Sequence, residues 1–73
     1  MNRIEFELDR EFVALNDLLK LAGVCDSGGM GKALVAAGEV SVDGELELRK
    51  TAKIRAGQVV RLGDVEIRVV AAG

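Results

Sequence analysis

With 73 residues, the chain has room for one domain, and a domain this short buries only about 60% of the surface its unfolded chain exposes. One cysteine and no histidine exclude a disulfide framework and the usual zinc spacings, so the core has to be aliphatic. The net charge of −2 would argue against nucleic acid if it were evenly spread. It is not: residues 49 to 61 hold five basic and no acidic side chains, whereas 25 to 48 hold one basic and five acidic.

The beginning of the chain predicts no signal or membrane segment. Arg3 is followed at once by Glu5 and Glu7, and the uninterrupted apolar runs are only a few residues long, far short of a bilayer span. A lone thiol fits a reducing compartment. The expectation is therefore a cytoplasmic protein with no membrane partner.

Residues 3 to 8 alternate polar and apolar with the period of a half-buried strand. From Phe12 the spacing changes, and Phe12, Leu15, Leu18, Leu19 and Ala22 fall on one helical stripe with Asn16, Asp17 and Lys20 opposite. A helix from about Ala14 to Ala22 is predicted, ended by Gly23; Phe12 and Val13 fit helix or strand. Asp26 and Ser27 can cap a second helix running to Ala37, ended by Gly38, with Met30, Leu34 and Ala37 as its buried stripe. Gly28, Gly29 and Gly31 in its first turns each cost about 1 kcal/mol relative to alanine, which implies a close backbone approach to something.

Val40 and Val42 then alternate with Ser41, Asp43-Gly44 supplies positive φ for a two-residue turn, and Leu46 and Leu48 resume the alternation. A basic strand or loop follows with Arg49, Lys50, Lys53 and Arg55. Ala56-Gly57 reads as a turn, Gln58 to Leu62 as a strand, Gly63-Asp64 as a second hairpin turn, and Val65 to Val70 as a last strand. The order predicts an α+β domain with a small, mostly antiparallel sheet.

Ser27 to Lys32 resembles a phosphate loop but departs from the Walker pattern at Asp26 and Ala33. What remains is a glycine-rich helix start with a lysine one turn in, which is either an anion seat or a flexible capped helix end. The basic run is either a binding stripe or a solvated edge that discourages sheet aggregation. Cys25, Met30 and the two phenylalanines read as packing. No base accompanies the thiol in sequence and no acid–base constellation appears, so no catalysis and no cofactor are expected.

Residues 12 to 62 resemble the RNA-binding domain named after small-subunit ribosomal protein S-four, also called the alpha-L motif. The matching residues are Leu15 and Leu18-Leu19-Lys20, then Ser27 and Lys32, then Gly38-x-Val40-x-Val42-Asp43-Gly44, and Gly57 before the next strand. Small stand-alone bacterial members are most similar, through Ser27-Gly28-Gly29 with Lys32 and through Glu47-x-Arg49-Lys50-x-x-Lys53. Three positions depart from the pattern: Gln58 stands where Asp is frequent, Asp43 where Asn is, and Gly31 where Ala is. Asp43 would add an acid beside the RNA face.

The resemblance implies two helices packed on a small, mostly antiparallel sheet, and one non-catalytic domain over 1–73 that binds structured RNA. Ribosomal or transfer RNA, with the ribosome as the larger partner, is the expected target of a monomer. Ser27, Gly28, Gly29, Lys32, Arg49, Lys50, Lys53 and Arg55 are its expected contacts. A chain without Trp, Tyr or a spare Phe suits phosphates and hydroxyls of folded RNA better than stacked single strands. The rival is a ubiquitin-like sulfur-carrier or protein-interaction module, for which the closing Val70-Ala-Ala-Gly73 lacks the Gly-Gly needed for adenylation.

Overall fold

The computed structural model describes residues 2–72. Its first strand, β1 (Asn2–Leu8), leads through a turn to the two-residue β2 (Val13–Ala14) and directly into helix α1 (Leu15–Leu21). Helix α2 (Gly28–Ala36) follows, then β3 (Val40–Val42), β4 (Glu45–Leu46), β5 (Lys53–Ile54), β6 (Val59–Leu62) and β7 (Val65–Ala71). Five strands form one sheet in the order β1-β7-β6-β3-β4, and β2 pairs with β5 separately.

Alternation sets the sheet. β3 and β4 pair antiparallel with Val42 opposite Glu45, across a turn whose two central residues both have positive φ, Asp43 at 52° and Gly44 at 85°. That is the type I′ geometry, whose twist matches the strands it joins. β6 and β7 form the second hairpin, with Leu62 opposite Val65. β1 instead lies parallel to β7, Asn2 beside Val65 through Leu8 beside Ala71. It is the one parallel pairing in an otherwise antiparallel sheet, and the alternation of β1 carries no information about it.

The helices end as expected and pack differently. Each closes in a Schellman motif: Gly23 N–H donates to Lys20 and Val24 N–H to Leu19, and Gly38 N–H donates to Val35 and Glu39 N–H to Leu34. Ser27 caps α2, its Oγ accepting from Met30 N–H at 3.1 Å. On α1 the leucines Leu15, Leu18 and Leu19 are fully buried, but Asn16, expected on the solvent side, is buried too. On α2 the expected stripe is displaced: Met30 and Ala37 are exposed and Leu34 is half-buried, while Gly31 and Val35 are buried.

The cause is one close contact. A Cβ on Gly31 would stand 2.7 Å from the backbone oxygen of Asn16, so α2 meets α1 through the residue without a side chain. The close approach inferred from the glycines is, at this position, made to the neighbouring helix. Below the helices lie Val40, Val60 and Ile67 from the sheet and Ile54 from β5, with Val35 and the α1 leucines closing an all-aliphatic core. Phe6 packs against that core; Phe12 does not join it.

Candidate nucleic-acid interface

The basic run is held as a shaped loop, residues 47 to 52, between β4 and β5. Glu47 N–H donates to Val40 at one end. At the other, the first amides of α1 do the holding: Leu15 N–H donates to the Ala52 carbonyl at 2.9 Å and Asn16 N–H to the Lys50 carbonyl at 3.1 Å. The N-cap of α1 is Ala14, with no side-chain cap, so the loop's carbonyls satisfy amides that a capping side chain would otherwise serve. The sequence offers no signal for this, because backbone groups carry the contact.

Pinned in this way, the loop faces α2 across an open groove of about 750 Å³ lined by Lys32, Leu48, Arg49, Lys50, Thr51 and Lys53, with Ala52 at its base. Four of the expected contact residues, Lys32, Arg49, Lys50 and Lys53, are thereby brought together. Leu48, expected to continue a strand's alternation, is 55% exposed at the groove's wall. Strand β4 stops at Leu46 because the chain turns away to form the loop.

The four cations are not equivalent. Arg49 makes a forked contact with Glu47, its Nε to Oε2 and its Nη2 to Oε1, both at 3.0 Å, and its backbone N–H donates to the same carboxylate. The guanidinium hydrogen bonds hold the Glu47 carboxyl below the usual glutamate range and raise Arg49 further above its ordinary value. No acidic partner contacts Lys32, Lys50 or Lys53 among the described residues.

The remaining expected contacts lie beside the groove. Ser27, Gly28 and Gly29 start the helix that carries Lys32 but do not line the groove. Ser27 is occupied in capping, a Cβ on Gly28 would meet the Asn16 side chain at 3.3 Å, and at Gly29 only Ser27 Oγ comes within 4 Å. Arg55 points elsewhere: its Nη1 donates to Glu11 at 3.2 Å and its guanidinium carbon lies 5.8 Å from the Phe12 ring centre. Lys53 Nζ lies over the same ring at 4.9 Å.

Asp43 does not border the groove. Its carboxylate accepts from Val59 N–H at 2.9 Å and from Gln58 Nε2 at 3.3 Å, tying the hairpin turn to the start of β6. Two of the departures from the family pattern are thus one feature. Here the two meet in one side-chain hydrogen bond, the Gln58 amide donating and the Asp43 carboxylate accepting. Arg61, at the end of the basic run, leaves the groove altogether and donates to Glu66 on the outer face of the sheet at 2.8 Å.

The S4 domain family matches residues 6–70. YbcJ of Escherichia coli strain K12 is 49% identical over 59 residues, which cover 81% of this chain and 84% of that protein. A Bacillus subtilis strain 168 protein named "Probable ribosome maturation protein RlbA" is 40% identical over 55 residues, 75% of this chain and 78% of its own. The solution structure of the E. coli protein, described as revealing an alpha-L motif involved in RNA-binding, aligns with a TM-score of 0.75 and 44% identity over 97% of this chain and 91% of that one. That fold and that sequence match replace the ubiquitin-like alternative: the chain belongs to the S4-domain family and has the alpha-L fold.

Proposed function

We propose that the groove between α2 and loop 47 to 52 binds structured RNA without catalysis, and that the RNA is ribosomal or transfer RNA. The observation that carries this reading is the convergence of Lys32, Lys50 and Lys53 on one concave surface with no acidic partner among the described residues, in a chain of net charge −2. Flexible ammonium groups and exposed helix amides suit phosphates and 2′-hydroxyls of a folded RNA, which is recognised by shape. Ser27, Gly28 and Gly29 extend the surface along α2. Arg49 contributes its charge only when Glu47 releases it.

The ribosome-maturation name of the B. subtilis relative favours ribosomal RNA over transfer RNA. In this reading the chain acts as one monomeric domain in the cytoplasm. No helix among the described residues is long and apolar enough to cross a membrane.

The test compares Lys50→Glu with Arg68→Glu on a structured RNA at several salt concentrations. With three free cations, the log-log salt slope of the unmodified protein is expected near −2 to −3. Lys50→Glu should weaken binding at least about tenfold and reduce the slope by about one unit. Arg68→Glu, on the outer sheet face, should leave both nearly unchanged. Equal effects would remove the groove as the interface. Crosslinking in cells followed by sequencing of the bound RNA identifies the target, and recovery of neither ribosomal nor transfer RNA would overturn that part.

A further inference from the structure

We infer that Phe12 forms a stacking platform for one unpaired nucleobase at the end of the RNA helix that lies in the groove; this rests on the groove reading above. Phe12 is half-buried and stands outside the aliphatic core. Its ring is addressed by two exposed cationic side chains, Lys53 Nζ at 4.9 Å and Arg55 at 5.8 Å. A half-buried ring approached by exposed side chains is open to a ligand in a way that a core ring is not. Beside it lies a shallow hollow of about 450 Å³ lined by Arg10, Glu11, Phe12, Val13, Ala14 and Asp17.

Charge decides what that hollow can accept. Arg10 is paired with Asp9 and Arg55 with Glu11, and Asp17 has no cationic partner among the described residues, so the hollow offers a phosphate no free cation; the backbone belongs in the groove and an uncharged ring belongs here. Lys53 joins the two places, because it lines the groove and also lies over Phe12. When a phosphate draws Lys53 into the groove, the ring face it leaves is free for the base attached to that phosphate or to its neighbour. Arg55 is held beside the ring by its bond to Glu11, and a guanidinium plane is itself a surface on which bases stack. Stacking on an aromatic ring is sequence-tolerant, so the site selects an unpaired position rather than a particular base.

The experiment uses the full chain and two RNA hairpins of one sequence, one blunt and one carrying a single unpaired 2-aminopurine nucleotide at its end. Binding of each is measured for the unmodified protein, Phe12→Leu, Phe12→Trp and Lys50→Glu, with thermal unfolding confirming that each variant folds. The unmodified protein is expected to bind the extended hairpin about tenfold tighter than the blunt one, in the range of one base–aromatic stack, and to quench 2-aminopurine emission. Phe12→Leu should erase the difference while keeping blunt-hairpin binding, and Phe12→Trp should restore it. Equal loss on both hairpins in Phe12→Leu would mean that the ring only positions Lys53, and equal binding of both hairpins by the unmodified protein would overturn the platform alone. Failure of both to bind, or indifference of both to Lys50→Glu, overturns the groove reading and the platform with it.

Discussion

The groove and the outer face of the sheet are both rich in charge, and they use it in opposite ways. On the outer face the pleat and register place Arg3 beside Glu66 and Arg61 beside the same glutamate, with Glu5 next to Arg68 in the adjacent row. Glu66 is only 8% exposed because Arg61 at 2.8 Å and Arg3 at 3.6 Å close over it. Three arginines and three glutamates share that face once Glu7 is included, so it is neutral by count, with Arg3 and Arg61 paired to Glu66 across the strands. The groove has the same kinds of side chain on a loop and a helix, where no register sets an acid opposite each base. Regular pairing neutralises; irregular backbone leaves a surplus.

The largest expected effect comes from breaking the support of the groove without touching a charge. Gly31→Ala places a Cβ 2.7 Å from the Asn16 oxygen and has to push α2 away from α1. A cost of about 1–3 kcal/mol is expected, seen as a fall of roughly 4–8 °C in Tm for each kcal/mol. Gly29→Ala, which meets only Ser27 Oγ at 3.9 Å, should leave Tm unchanged or raise it slightly. Equal melting of the two variants would show that the helix contact does not hold the groove in shape.

Next is the neutral sheet face. Glu66→Gln removes the shared acid and leaves Arg3 and Arg61 facing each other, at a cost of about 1 kcal/mol in chemical denaturation. RNA affinity should not change. A gain in affinity would mean that the sheet face, freed of its acid, contacts RNA as well, and the contrast between the two surfaces would fail.

The smallest effect on stability, and the most informative for charge, belongs to Glu47→Gln. Loss of the exposed Arg49 pair should barely move Tm, while the freed guanidinium should steepen the salt slope of RNA binding by about one unit. An unchanged slope would show that Arg49 cannot reach phosphate even when released. Acid tests the same pair. Because its folded-state pKa is lowered, Glu47 contributes its stabilisation above the ordinary glutamate value, about 4.3, and loses it as pH falls through the lower native one. RNA affinity should therefore rise more over that acidic window in the unmodified protein than in Glu47→Gln, because the other carboxylates gain protons in both.

Much of this architecture is written in local pattern. The alternation of residues 3 to 8, the Asp43-Gly44 turn, the Ser27 cap and the two helix-ending glycines all report on their own neighbourhoods, and each element stands where its signal lies. Helix faces were harder to read. The stripe Met30, Leu34, Ala37 follows size and apolarity, but α2 approaches α1 through Gly31, where the deciding property is the lack of a side chain. Asn16 is buried by that same contact and by the Lys50 carbonyl above its amide. The groove's membership was legible as a run of basic residues, but its boundary was not, since Arg49, Arg55 and Arg61 find Glu47, Glu11 and Glu66. Only Glu11 is distant in sequence from its arginine; Glu66 is five residues from Arg61 across the β6–β7 hairpin, and the geometry that matches these pairs is set by the sheet and the β2–β5 pair. Phe12 read as core because a half-buried aromatic and a core one look alike in a single sequence.

The parallel pairing of β1 with β7 sets the order in which the domain can form. Among the described residues the first seven-residue strand pairs only with the last one, so its contacts span nearly the whole chain and the loop-closure cost falls due before they stabilise anything. On a translating ribosome the N-terminal strand waits with an unpaired edge until residues near 71 have emerged, and Leu8, Ile67 and Val69 join the core together. Pairing of such long range slows folding relative to local helical contacts.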